Sequence, residues 1–118
     1  MKLINTESPT EKAILVGVSI FGEDNLLNLE DSLEELEQLA DTAGVEIVGS
    51  LSQNLNRPNP KTFIGSGKVE EVKLLATELD ADMIIFDNEL SPRHQRELER
   101  EFGENLTVYD RTALILDI

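Results

Sequence analysis

Ala13-Ile-Leu-Val-Gly-Val-Ser-Ile20 is an almost unbroken apolar run of strand length. Apolar side chains at successive strand positions point to opposite faces, so both faces need cover. A strand of that kind belongs to a sheet sandwiched between helices. Working downstream, Leu29, Leu33, Leu36, Leu39 and Ala40 recur at helical spacing with acids opposite. They predict a helix over 29–43, ended by Gly44. Val45 to Ser52 reads as a second strand. Val69, Val72, Leu75, Ala76 and Leu79 mark a second helix, and Met83-Ile-Ile-Phe86 a short buried strand ending at Asp87. Ser91-Pro92 is a helix start, because serine caps and proline suits the first helical position. That helix runs to about Phe102 and stops at Gly103. Leu106 to Tyr109 is a fourth strand, and Arg111 to Ile118 is open to a further helix.

Alternation of strand and helix predicts an α/β fold: a four-stranded, mainly parallel sheet with helices on both faces, in one small domain. Residues 13–118 form that domain. Residues 1–12 are polar, with Pro9 as a breaker, and read as a flexible N-terminus. The apolar Leu114-Ile-Leu116 stretch close to the last residue suggests a cut from a longer protein.

The 118 residues carry no cysteine, which excludes disulfides and thiolate metal sites. No apolar run approaches the ~20 residues of a membrane span, and the N-terminus is no signal peptide. A cytoplasmic location without membrane contact is expected. Net charge is −14, which by itself argues against a nucleic-acid partner. Its distribution says more. Residues 1–50 hold two lysines against eleven acids, net −9, whereas 51–118 hold eight basic and thirteen acidic residues, net −5. Between Glu46 and Glu70 no acid occurs, while Arg57, Lys61 and Lys68 do.

In open parallel sheets ligands bind beyond the carboxyl ends of the strands. Three segments fall there. Gly65-Ser66-Gly67-Lys68 opens a helix, where glycines and the positive dipole end suit an anion. It is not a Walker A loop, because Thr62 stands where the first glycine is needed and Val69 replaces the magnesium-binding hydroxyl. Arg93, His94 and Arg96 lie in the first turns of the third helix, where the dipole disfavours cations. Either an external anion or a carboxylate such as Asp87 or Glu89 compensates them. Arg111 follows strand four. The candidate RNA- or phosphate-binding set is therefore Arg57, Lys61, Gly65, Ser66, Gly67, Lys68, Arg93, His94, Arg96 and Arg111. His94 is the only histidine, so catalysis by a histidine pair and histidine metal ligation lack partners. Asp87 and Asp110 end strands and offer either a carboxylate pair or capping and ion pairing.

Asn56-Arg-Pro-Asn-Pro-Lys-Thr-Phe-Ile-Gly-Ser-Gly-Lys-Val-Glu-Glu-Val72 resembles the segment ahead of the second helix in HflX-type GTPases. Leu90-Ser-Pro-Arg-His-Gln-Arg-Glu-Leu98 is similar to that family's third helix start, and Val108 to Ile118 to the stretch leading into its long helices. Phe63 stands where tyrosine is also common. Three motifs in order make the likeness specific over 45–118, with the first 44 residues matching by pattern alone. The resemblance implies the N-terminal domain of a cytoplasmic, ribosome-associated GTPase that helps split stalled or idle ribosomes. In such proteins this domain anchors on ribosomal RNA of the large subunit and modulates its own G domain, which a helical hairpin precedes. GTP and Mg2+ are expected for the full-length protein and no cofactor for this stretch, which lacks the G-domain motifs and is not expected to be catalytic. The alternatives left open are an accessory ATP site at Gly65–Lys68, assigned in some members, and a purely intramolecular regulator. Oligomeric state is not readable.

Overall fold

The computed structural model describes residues 11–20 and 29–117. Chain order is β1 (Glu11–Ile20), α1 (Leu29–Thr42), β2 (Val45–Leu55), α2 (Ser66–Leu79), β3 (Met83–Phe86), α3 (Pro92–Phe102), β4 (Thr107–Asp110) and α4 (Arg111–Asp117). All pairings are parallel, in the order β2-β1-β3-β4. The expected α/β architecture is therefore present, with a wholly parallel sheet.

The chain leaves β1 in one direction to reach β2, then crosses back over β1 to reach β3. Crossovers of one hand place helices from opposite directions of travel on opposite faces. The two core clusters show this. Ile14, Val16, Val18, Ile84, Phe86 and Val108 pack with Val69, Val72 and Ala76 of α2 and Leu98 and Phe102 of α3. Ala13, Leu15, Met83 and Ile85 pack with Leu36 and Ala40 of α1 and Leu114 of α4. The continuous apolar run of β1 is explained: its odd and even positions serve two different cores.

Boundaries differ from the sequence reading at two places that matter. β1 starts at Glu11, because Lys12 is pinned on both its polar atoms: its N–H donates to Asp82 Oδ2 at 3.0 Å, and its carbonyl accepts from the Asp82 N–H at 2.7 Å. Glu11 and Lys12 thus belong to the sheet and not to a flexible start, whereas residues 1–10 lie outside the described residues. β2 runs three residues further than expected, to Leu55. Its last positions alternate, with Leu51, Gln53 and Leu55 half-buried and Ser52 and Asn54 exposed. That is period-two burial with one polar face, which apolar-run counting misses. A register shift between Ala13 and Ile14 leaves Val48 as the extra residue of a bulge.

Beyond Phe86 the β1–β3 ladder is completed by a side chain. The Asp87 N–H donates to Val16 O at 2.9 Å. Asn88 Oδ1 then accepts from the Val18 N–H at 2.9 Å, and its Nδ2 donates to Val18 O at 3.0 Å. One amide group imitates the next peptide of a partner strand. This secures the carboxyl end of β1 where β3 has already turned away.

Candidate functional site

Because α2 and α3 share one face of the sheet, their first turns emerge side by side at its carboxyl rim. The 56–65 connection fills the space between them. It cannot be regular, since Pro58 and Pro60 lack donors and restrict their predecessors. Asn59, between them, organises it. Asn59 and Phe63 exchange both backbone hydrogen bonds, each 2.9 Å. Asn59 Oδ1 also accepts from the N–H groups of Lys61 at 2.8 Å and Thr62 at 3.1 Å. Thr62 Oγ1 donates to Ile64 O at 2.7 Å. Phe63 takes φ +68°, a conformation costly for an aromatic residue, yet the residue is only 8% exposed and packs in the α2/α3 core. Burial of its side chain is what stabilises the unfavourable backbone.

Gly65 is the N-cap of α2, and no side chain caps that helix. The Gly65 N–H is taken by Gln53 Oε1 at 3.2 Å. On α3, Ser91 caps: its Oγ accepts from the His94 N–H at 3.1 Å, with Pro92 at the first position. The His94 ring bridges the two segments. Its Nδ1 lies 3.0 Å from Ser91 Oγ and its Nε2 3.0 Å from the Asn59 carbonyl. Edge-on contact with Phe63, centroids 5.3 Å apart at 71°, completes its surroundings.

The ten candidate residues separate into three groups. Arg57, Arg93 and Arg96 are exposed and, among the described residues, form no ion pair. The Asn59–His94 bond brings their segments together, since Arg57 is two residues from Asn59 and Arg93 adjoins His94. Two residues span at most about 7 Å of backbone. Lys61 lines a depression with Ser66 and Gly67, Lys68 follows them in α2, and each lysine has a carboxylate neighbour. Lys61 Nζ is 3.8 Å from Glu101 in an exposed, weak pair. Lys68 Nζ is 3.0 Å from Glu71, within its own helix.

Arg111 does not join them, which corrects its place in the expected set. Its guanidinium donates to Asp87 Oδ1 at 3.0 Å and Ser32 Oγ at 2.8 Å, and pairs with Glu35. The reason is topological: α4 packs on the α1 face, across the sheet from α2 and α3. His94 belongs to the rim but as a brace, with both ring nitrogens occupied. Asp87 and Asp110 are structural as well. Asp87 holds Arg111 and Ser32, while Asp110 accepts from the Leu90 and Ala113 N–H groups at 3.0 and 2.8 Å. Asp87 and Asp110 are thus each engaged separately and not poised as a pair.

At the Gly65–Lys68 helix start the Gly65 N–H is engaged by Gln53, and Lys68 turns to Glu71. The adjoining depression, about 320 Å³, carries both Glu70 and Glu101 in its wall, which repels a nucleotide's phosphates. Among the described residues no group of three or more acids and histidines could hold a metal. No described helix is long and apolar enough to cross a membrane. Asn59 and Gln53 were missed by the sequence reading. Pro-Asn-Pro was a signal for Asn59, since asparagine between prolines favours a side-chain-closed turn; nothing in the sequence marked Gln53.

Comparison with known proteins adds independent information. The family described as GTP-binding GTPase N-terminal matches residues 30–118. A "GTPase HflX" of Flavobacterium psychrophilum is 44% identical over 108 residues, 92% of this chain and 25% of that protein. The one from Lacrimispora saccharolytica is 44% identical, covering 99% of this chain and 26% of the relative. That of Escherichia coli K12 is 40% identical, over 92% and 24%. The chain thus spans about a quarter of the length of these relatives. Among solved structures, a GTP-binding protein from Sulfolobus solfataricus in complex with GDP aligns with TM-score 0.66 and 23% identity, over 90% of this chain and 29% of that one. At that identity the likeness is one of fold.

Proposed function

We propose, from the premise that this chain belongs to the GTP-binding GTPase N-terminal family and is the N-terminal domain of an HflX-type GTPase, that its carboxyl rim docks on ribosomal RNA of the large subunit. The observation that carries this is the trio Arg57, Arg93 and Arg96. These guanidiniums are exposed in a molecule of net charge −14, and among the described residues no carboxylate pairs with them. Protein carboxylates are abundant, so three unpaired cations on one rim are most simply matched by an outside anion. Guanidinium is the side chain best suited to phosphate oxygens. Lys61 and Lys68 supply secondary charge that can leave its exposed carboxylate partner at little cost.

In this reading the chain binds and positions. Hydrolysis of GTP with Mg2+, and the separation of stalled or idle ribosomes in the cytoplasm, belong to the whole GTPase. The chain contributes anchoring and, through its orientation, a means of regulating the G domain. Nothing at the α2 start favours the accessory nucleotide site over this reading.

Binding of the chain to purified large ribosomal subunits, at low and moderate salt, tests the proposal. Affinity should fall as salt rises. Combined Arg57→Ala, Arg93→Ala and Arg96→Ala should flatten the slope of log K against log salt by about 0.7 to 0.9 per phosphate contact removed. Lys73→Ala, which removes a cation paired with Glu70 midway along α2, should change little. Equal binding by wild type and the triple variant sinks the proposal.

A further inference from the structure

The rim cations lie on two separately built segments, held together by the buried Phe63 ring, the weak Lys61–Glu101 pair and one histidine. Arg57 and Lys61 belong to the 56–65 connection; Arg93 and Arg96 belong to α3. Their relative placement depends on how firmly the connection is held to the helix. Within itself the connection is highly determined, by the Asn59–Phe63 backbone exchange, the Asn59 Oδ1 turn and the buried Phe63 ring. Among the hydrogen bonds of the described residues, the His94 Nε2 contact at 3.0 Å is the one between the 56–65 connection and α3. The ring's edge contact with Phe63 lies beside it.

The chemistry of that contact assigns the ring's proton. The Asn59 carbonyl can only accept, so Nε2 must carry hydrogen. In the neutral ring Nδ1 then accepts from the Ser91 hydroxyl, whose oxygen accepts in turn from the His94 N–H. Ser91 thereby caps α3 and orients the imidazole at once. Each polar atom in this circuit has a partner, and the position is only half-buried, so nothing in it demands a reactive histidine.

We propose that His94 is a positioning residue for the docking site: its Nε2–H latches the Asn59–Phe63 turn to α3 and so fixes the spacing between the loop cations and the helix cations. The proposal rests on the docking reading for its consequence, but the latch itself is a property of this chain alone. It also explains a histidine in a helix's first turn, where a carboxylate would be electrostatically preferred.

The test uses the wild-type chain and the variants His94→Ala and His94→Gln. His94 is the only histidine, so its ring nitrogens can be observed by 15N NMR without assignment ambiguity. The neutral ring should be protonated at Nε2; protonation at Nδ1 alone overturns the latch. In His94→Ala the amides of Lys61 and Thr62 should exchange with solvent on the order of tenfold faster, as expected when one hydrogen bond that restrains the turn is lost. Affinity for large ribosomal subunits should drop by a similar factor although no permanent cation has been removed. His94→Gln places an amide donor near the former Nε2 and should restore both readouts toward wild type. Unchanged exchange in His94→Ala, faster exchange without weaker binding, or equal damage in both variants overturns the proposal. If the wild type does not bind subunits, the docking reading fails, while ring protonation and amide exchange still decide the latch.

Discussion

Asp87 and Arg111 form a polar contact that ties the end of β3 to the start of α4. The Asp87 side chain is 9% exposed and that of Arg111 26%. Asp87 ends β3 and Arg111 begins α4, and the pair reaches α1 through Ser32 and Glu35. Truncating one partner of a largely buried pair costs more than the pair itself contributes, because the other charge is stranded. Arg111→Ala should therefore destabilise the fold by about 1–3 kcal/mol, below the value for a fully buried pair because Arg111 retains some contact with water. Urea unfolding measures this; a loss below about 0.5 kcal/mol would mean that water already serves Asp87. RNA docking should persist in the folded variant, since Arg111 is held by Asp87, Ser32 and Glu35 on the α1/α4 side of the sheet. This residue also shows where sequence reading ends. That Arg111 follows a strand was visible, but which face of the sheet its helix covers depends on the order of the strands. No local pattern encodes that order.

At the scale of elements, most of the architecture was legible, for identifiable reasons. Four apolar runs and two helical periodicities were punctuated by Gly44, Gly103 and Ser91-Pro92, each of which stops or starts a helix by its own backbone chemistry, the last two bounding the third helix by themselves. The end of β2 was not legible, because Ser52 to Leu55 alternates in burial and looks like a loop by composition. The end of α2 at Leu79 was legible from its periodicity alone, with no glycine to mark the cap. Its C-cap is Asp80, at φ 61° and ψ 40°, with its N–H bonded to Ala76 O. Left-handed backbone costs a non-glycine residue about 1 kcal/mol, and a carboxylate at a helix C-terminus opposes the dipole. Asp80→Gly should stabilise the chain by roughly 0.5–1 kcal/mol, the gain reduced by glycine's freer unfolded state. Asp80→Asn should give a smaller gain, through charge alone. Thermal melts compare them, and a destabilised Asp80→Gly would show that the aspartate carboxylate makes a compensating interaction at that position.

Taken whole, the molecule is electrically two-sided, and that asymmetry bears on its behaviour in salt. Helix α1 carries six acids and no base, and it covers the face opposite α2 and α3. Arg57, Arg93 and Arg96, which pair with no carboxylate among the described residues, lie at the carboxyl rim where α2 and α3 begin. Self-repulsion among 24 acids against ten bases opposes the compact state and is screened by added salt. Phosphate binding is weakened by the same ions. Folding and docking should consequently respond to salt with opposite signs. Raising salt from about 50 to about 200 mM should increase the melting temperature, while affinity for the large subunit falls by roughly 20- to 40-fold if three phosphates are neutralised at a slope of about −0.7 to −0.9 each. Calorimetry and binding in the same buffers separate the two. A melting temperature that falls with salt would mean that ion pairs such as Asp87–Arg111 outweigh global repulsion. An affinity indifferent to salt would mean that whatever this rim meets is not a phosphate chain. The acidic α1 face predicts the orientation as well: repulsion turns it from RNA, so an anionic partner can approach productively from the α2/α3 rim alone.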